Sequence, residues 1–422
     1  MDECGRSTLK IGFSPGSTPL GDRPSWKSWR AWITLLGFVW PAAHEMDRRV
    51  SPCRLRAMRL SVIICTHNPR PEYLSRTLEA LRKQTLSKAE WELLLIDNAS
   101  HPAIAKLFSL AWHPNAHHLR EEVLGLTAAR LRGIREAQGQ LLVFVDDDSL
   151  LESSYLEKAK GISESRPELG CWGAGSIEPE YEEPPPEWLS HYEDALAIRH
   201  LDRDLWANIP AVNRSLPFGV GMCLRRMVAD QYANLCHQDS VRRSLDRSGE
   251  SLASCGDTDI AILACALGMG TASFVGLKIT HLIPERRMTP QYMSRLIAGK
   301  VESAVILASL YEFDTDNLSL QRFQILKFKY LFFWIRYFLS GFSVHARLAL
   351  SCVRGHLNGY TRLQRLGVLG HQVDNKGQMF RGRRTRMDTP HGGVVRERRA
   401  AGSIPPNLVS FAKPAFPPRK RR

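Results

Sequence analysis

Residues 141–148 read Leu141-Leu142-Val143-Phe144-Val145-Asp146-Asp147-Asp148, an apolar run that ends abruptly in carboxylates. An apolar run with no polar residue alternating through it describes a strand covered on both faces. Two earlier stretches repeat the form. Ser61-Val62-Ile63-Ile64-Cys65 leads into Thr66-His67-Asn68-Pro69-Arg70-Pro71, and Leu93-Leu94-Leu95-Ile96 leads into Asp97-Asn98. Pro71 suits the first turn of a helix. Leu74, Leu78 and Leu81 follow at helical spacing, as do Leu124, Ala128, Leu131 and Ile134 further on. A short helix near 103–110 and a strand near 118–122 fit between them. The alternation predicts an α/β domain: a mostly parallel sheet with helices on both faces. Ligands of such sheets bind beyond the carboxyl ends of the strands. Here three of those ends are polar: Thr66 to Asn68, Asp97-Asn98, and Asp146 to Asp148.

The chain has 422 residues, 44% hydrophobic and 24% charged. That composition excludes a disordered, collagenous or coiled-coil protein and allows a sizeable core. The net charge of +14 is unevenly spread. Residues 58–316 carry 27 basic and 35 acidic side chains, residues 317–373 carry 8 basic and no acidic ones, and residues 374–422 carry 13 and 3. An acidic body therefore adjoins a basic end, and a nucleic-acid reading applies only to that end. The nine cysteines form no CxxC pair, which argues against a disulfide framework or a zinc ribbon and for a reducing compartment.

The expected organisation has four parts. Residues 1–57 form a poorly ordered extension, expected to be a dispensable arm or to precede a natural start at Met46 or Met58. Its Trp-rich run Ala31 to Ala43 is too short to span a membrane and makes a poor signal peptide. Residues 58–316 form the catalytic domain. Within it, Gly170–Ile177 and Leu216–Cys223 read as strands, Glu178–Glu187 as a surface loop, Ile260 onward as a helix, and 271–280 as a strand leading to His281. A helix near 289–310 closes it. Residues 317–373 form a basic amphipathic helical segment, with two helices over 318–356, and residues 374–422 a disordered basic tail.

The chemistry concentrates in Asp146, Asp147 and Asp148. Adjacent carboxylates repel, desolvation adds to the cost, and a hard divalent cation relieves both. An isolated Asp triplet is more often a solvated turn; at the end of a buried strand, beside two other polar strand ends, metal binding is the better reading. Asp97 occupies the equivalent place one strand earlier and is either a ribose or base acceptor or a turn former. Thr66 and Asn68 line a base pocket or stabilise a turn, and Arg130 faces a phosphate or solvent. Asp257 and Asp259 sit where a helix begins, as caps or as a general base. His281 is a metal ligand or a structural histidine. His113, His117 and His118 read as surface residues. GxGxxG after the first strand, the P-loop and the GxSxG elbow are absent.

Taken together, Ser61 to Asn68, Gln84, Ile96 to Ser100, Gly125 with Ala129-Arg130 and Gly133, and Phe144 to Ser149 resemble the family 2 glycosyltransferases of GT-A fold. The likeness covers about residues 58–290. It implies an inverting enzyme that uses a nucleotide-diphosphate sugar and Mg²⁺ or Mn²⁺. It implies that Thr66, Asn68, Asp97, Arg130, Asp146 and Asp147 contact the donor, that Asp148, Asp146 and His281 hold the metal, and that Asp257 is the catalytic base. Two departures stand out: Gly256 occupies the place of the motif's usual Glu, and Leu131 the place of its Asn. The implied acceptor is a glycan or a lipid-linked molecule in cell-surface polysaccharide or glycoconjugate synthesis. Phe323, Phe328, Phe332, Phe333, Trp334 and Phe338 beside Arg322, Lys327, Lys329 and Arg336 suit an interfacial helix on anionic lipid. The expected location is the cytoplasm, with peripheral attachment to the inner face of the cell membrane. The rival readings are a metal-dependent nucleotidyltransferase and a polyanion-binding protein using the basic end; no nucleic-acid partner is expected.

Overall fold

The computed structural model describes residues 60–311 and 320–367. The expected N-terminal extension and C-terminal tail lie outside the described residues. The chain begins with β1 (Leu60–Thr66), α1 (Pro71–Arg82), β2 (Trp91–Asn98), β3 (Ala116–Glu121), α2 (Leu126–Glu136) and β4 (Leu141–Asp146). It continues with β5 (Ser149–Leu151), α3 (Tyr155–Ser165), β6 (Leu169–Tyr181), the two short strands β7 (Arg199–His200) and β8 (Leu205–Ala207), and β9 (Cys223–Arg225). Then come α4 (Arg226–Gln238), α5 (Ser240–Arg243), α6 (Gly256–Ala266), β10 (Gly270–Ile283), α7 (Pro290–Leu310), α8 (Leu320–Leu339) and α9 (Val344–Arg365).

The strands form one sheet in the order β3-β2-β1-β4-β9-β6-β10-β5, with β7 beside β6 and β8 beside β10. The first four strands are parallel, and β9 runs antiparallel to both β4 and β6. Both faces are covered, as the unbroken apolar runs require. Ile63, Leu94, Ile96, Leu142 and Phe144 join a cluster with α2, α4 and α6. Val62, Ile64, Leu93, Leu95, Val143 and Val145 join a second cluster with α1 and α3 on the opposite side. Successive residues of each strand therefore feed different cores. The expected fold class, an α/β sheet between helical layers with a helical extension, is the one observed.

Three local expectations need correction. Leu216–Cys223 is mostly loop: Pro217 offers no ladder donor and Gly221 turns at φ +69°, so only Cys223 onward pairs. The Glu178–Glu187 loop begins later than expected, because β6 runs to Tyr181 alongside β10. His113 is buried, its ring 4.1 Å from that of Trp91, and burial lowers its pKa to about 4.

Helix α9 lies against α7 without a side-chain layer between them at two points. A Cβ at Gly355 would meet the Ala298 carbonyl at 2.5 Å, and one at Gly359 would meet Val305 Cβ at 2.7 Å. Only glycine permits that approach. Helix α8 packs on α9 through Phe323, whose ring stacks on Tyr360 at 5.9 Å.

Candidate active site

The parallel register sets the geometry of the site. Thr66 pairs with Asp97 across β1 and β2, and Cys65 pairs with Asp146 across β1 and β4. The three polar strand ends thus lie along one edge. β4 ends at Asp146, and the chain turns through Asp147 and Asp148 into β5, which pairs antiparallel with β10. That pairing sets His281 opposite Ser149 and so beside Asp148.

Within the triplet each carboxylate has a different surrounding. The Thr66 hydroxyl donates to Asp147 Oδ2. Burial pushes the Asp147 carboxyl up to about 7, and repulsion from Asp148 adds to it. Asp146 is also raised, by burial first and Asp148 second. Burial would raise Asp148 as well, but Arg287 foremost and His281 next outweigh it and hold that carboxyl below the usual range. Arg287 Nη2 lies 2.9 Å from Asp148 Oδ2, and His281 Nε2 lies 3.4 Å from Oδ1. The other ring nitrogen of His281 is buried without a hydrogen-bond partner.

Whether these groups suit a divalent cation can be judged from their chemistry. Two carboxylates and an imidazole are donors of the kind Mg²⁺ or Mn²⁺ accepts, and added positive charge would relieve the raised acids. Among the described residues, no group of three or more His, Cys, Asp or Glu is already gathered for a metal. Arg287 and His281 engage both oxygens of Asp148. The donors fit in kind.

Asp257 sits in the first turn of α6, where the helix dipole favours a carboxylate. Its Oδ2 accepts from the Gly219 N–H at 2.8 Å and its Oδ1 from the Thr258 N–H at 2.7 Å. Asp259, two residues on, is fully buried and held by Arg242 and Tyr311, so it is a structural carboxylate. Asp146, Asp147, Asp148, His281, Asn68, Thr66, Arg130 and Asp257 all line one cavity of about 1740 Å³, which continues along α7 to α8 and α9. That volume exceeds the roughly 300–1,000 Å³ of an ordinary small-molecule pocket.

Two expected donor contacts are placed differently. Asp97 does not line the cavity; its carboxylate accepts from the Ser100 and Ile104 N–H groups and from Arg120, while Asn98 borders the cavity with its amide bonded to the Glu121 and Val123 carbonyls and the Gly125 N–H. Arg130 lines the cavity but is buried in an ion pair with Asp246 at 2.8 Å. Burial disfavours its charge, yet Asp246 and then Asp257 outweigh that and raise its pKa. Asn68, at φ +46°, accepts from the His101 N–H at 2.9 Å and remains exposed at the rim.

Residues 61–203 match the sequence family described as glycosyl transferase family 2. Over those residues the chain is similar to that family. It is 35% identical over 107 residues to Glycosyltransferase AglE of Haloferax volcanii, a match covering 25% of this chain and 34% of that protein. It is 30% identical over 105 residues to the cholesterol galactosyltransferase of Borreliella burgdorferi, covering 24% and 27%. The matches span about a third of the length of these curated relatives. Among solved structures, that of S. aureus TarS 1-349 in complex with UDP-GlcNAc superposes with a TM-score of 0.37 at 16% identity, over 76% of this chain and 95% of that one.

Two residues of the candidate site are not legible in the sequence. Arg287 left a faint signal, a basic pair, Arg286-Arg287, shortly after a strand-end histidine. Asp246 left none, since it lies in an aperiodic loop ahead of α6.

Proposed function

We propose that this chain is an inverting glycosyltransferase that moves a sugar from a nucleotide-diphosphate donor to an acceptor hydroxyl, in the synthesis of cell-surface polysaccharide or glycoconjugate. The observation that carries the reading is the shared cavity. It is lined by the Asp146–Asp148 triplet, His281 and Asp257 together. Inversion needs the acceptor hydroxyl and the leaving diphosphate on opposite sides of the sugar's anomeric carbon. Asp257 takes the hydroxyl proton as the new C–O bond forms and the bond to the diphosphate breaks. Asp146, Asp148 and His281 would hold the Mg²⁺ or Mn²⁺, which supplies Lewis-acid stabilisation of the diphosphate when bound. Arg287, released from Asp148, adds positive charge for the same oxygens. Thr66, Asn68, Asn98 and Asp147 shape the nucleoside end, and Asp97 anchors the loop behind it. A donor panel read by thermal shift with Mn²⁺ tests this: one nucleotide sugar should stabilise the protein in a cation-dependent way, and no stabilisation by any of them would overturn it.

The acceptor side is proposed to meet an anionic membrane surface. The least exposed residues of α8 are Phe323, Leu326, Tyr330, Phe333 and Tyr337, which share one face. Opposite them lies a second apolar stripe at helical spacing: Ile325, Phe328, Phe332, Ile335 and Leu339. Phe328 is 75% exposed and Leu339 is 77% exposed. Arg322, Lys327, Lys329 and Arg336 flank the stripe with no acidic residue in the helix, and each cation near anionic lipid contributes about 1 kcal/mol. Among the described residues no helix is long and apolar enough to cross a membrane. The exposed stripe and its flanking cations support attachment at the surface and a lipid-linked acceptor. The full chain should sediment with phosphatidylglycerol vesicles and not with pure phosphatidylcholine, and Phe328→Asp/Phe332→Asp should weaken that binding at least about tenfold. Equal binding by the double variant would remove the assignment.

A further inference from the structure

The first residue of α6 is a glycine, and the space beside it is filled from elsewhere. A Cβ built at Gly256 would fall 2.6 Å from Asp246 Oδ1 and closer still to Oδ2. Nothing but hydrogen is compatible with that carboxylate. Asp246 is 5% exposed and makes three contacts. Its Oδ1 accepts from the Gly256 N–H at 3.1 Å, and its Oδ2 accepts from Arg130 Nη1 at 2.8 Å and from the Thr127 hydroxyl at 3.0 Å. Gly256 immediately precedes Asp257. Arg130 carries the linkage further, because a Cβ at Gly219 would lie 2.8 Å from Arg130 Nη2, and the Gly219 N–H is the donor to Asp257 Oδ2. One carboxylate therefore ties α2, the first turn of α6 and the Gly219 loop to a single arrangement.

We propose that Asp246 is a positioning residue for Asp257, and that the missing side chain at position 256 is what admits it. The acidic group expected on α6 is delivered from the preceding loop, and the α6 backbone and Arg130 are held by it. The inference rests on Asp257 as the base. Asp246 neither touches the acceptor nor receives its proton. It fixes the N–H of the first turn and neutralises Arg130, whose unpaired charge would otherwise compete for the Asp257 carboxylate. An unpartnered buried guanidinium is strongly destabilising, so the contact also has a structural readout.

A relocation cycle tests this on the full chain with Asp246→Gly, Gly256→Glu, the double variant and the isosteric Asp246→Asn. The introduced carboxylate at position 256 should have opposite effects in the two backgrounds. Beside the native Asp246 it overlaps an existing carboxylate and should lower Tm by about ten degrees. In the Asp246→Gly background it should regain Arg130 and raise Tm by a similar amount. Turnover should follow: Asp246→Gly and Asp246→Asn should each lower kcat roughly 100-fold with donor KM within about threefold, and the double variant should recover to within about tenfold of wild type. A Gly256→Glu effect of the same sign in both backgrounds, or undiminished kcat in Asp246→Asn, would overturn the proposal. The base assignment is read separately from Asp257→Asn. If that variant turns over normally the reading of the site fails, whereas an inactive Asp257→Asn without recovery in the double variant refutes only the role of Asp246.

Discussion

Asp257→Asn is expected to lower kcat by about 10²–10⁴-fold while leaving the donor dissociation constant within about twofold. The substitution keeps the shape and one oxygen able to accept from the Gly219 N–H, and gives up only the local Oδ1 contact with the Thr258 N–H. What is lost is proton affinity: an amide cannot take the acceptor's hydroxyl proton at neutral pH. On the reading proposed above, donor binding depends chiefly on the Asp146–Asp148 corner, which lines the same cavity and which the change does not touch. Steady-state turnover set beside calorimetric donor binding distinguishes the two. Ordinary turnover in this variant would remove Asp257 from the chemistry.

Asp148→Ala should abolish the cation dependence of donor binding, with affinity in the presence of Mn²⁺ falling about 100-fold to the level that a chelator produces in the wild type. Asp148 is the only member of the triplet held by Arg287 and His281 together, and its lowered pKa keeps it ionised while the pKa values of its two neighbours are raised. Removing it deletes the strongest anionic donor of the corner and leaves Arg287 facing the remaining carboxylates. Titrating donor against wild type and variant, with Mn²⁺ and with chelator, gives four values. The prediction requires three of them to coincide; retention of a Mn²⁺ effect in the variant would move the cation elsewhere.

Much of this architecture is legible in the linear chain, for a physical reason. A strand between two helical layers has no solvated face, so β1, β2 and β4 announce themselves as unbroken apolar runs, and the first polar residue after each marks the ligand edge. The same logic fails at its margin. At the end of β2, residues 97 and 98 point to opposite faces, and composition does not say which one borders the cavity; the structure places Asn98 there and turns Asp97 toward the 100–104 backbone. Leu216–Met222 has strand-like composition, but Pro217 and the positive-φ Gly221 prevent pairing until Cys223. Asp246 and Arg287 belong to the site through contacts reaching across the fold: Asp246 to Arg130 is a separation of 116 residues. No local pattern encodes such a meeting. Gly256 is the one trace it leaves, a missing side chain whose explanation is a carboxylate ten positions earlier.

The contact of α9 with α7 at Gly355 and Gly359 has a mechanical corollary. With backbone against side chain and no cushion of flexible groups between, the two helices cannot slide or rock independently. α7 also carries Lys300, whose ammonium reaches the backbone carbonyls of Asp194 and Ala195 on the cavity wall. Tilt imposed on the helical extension would therefore reach the cavity wall, and on the function proposed above the angle at which the cavity mouth meets an acceptor would follow the extension's own footing.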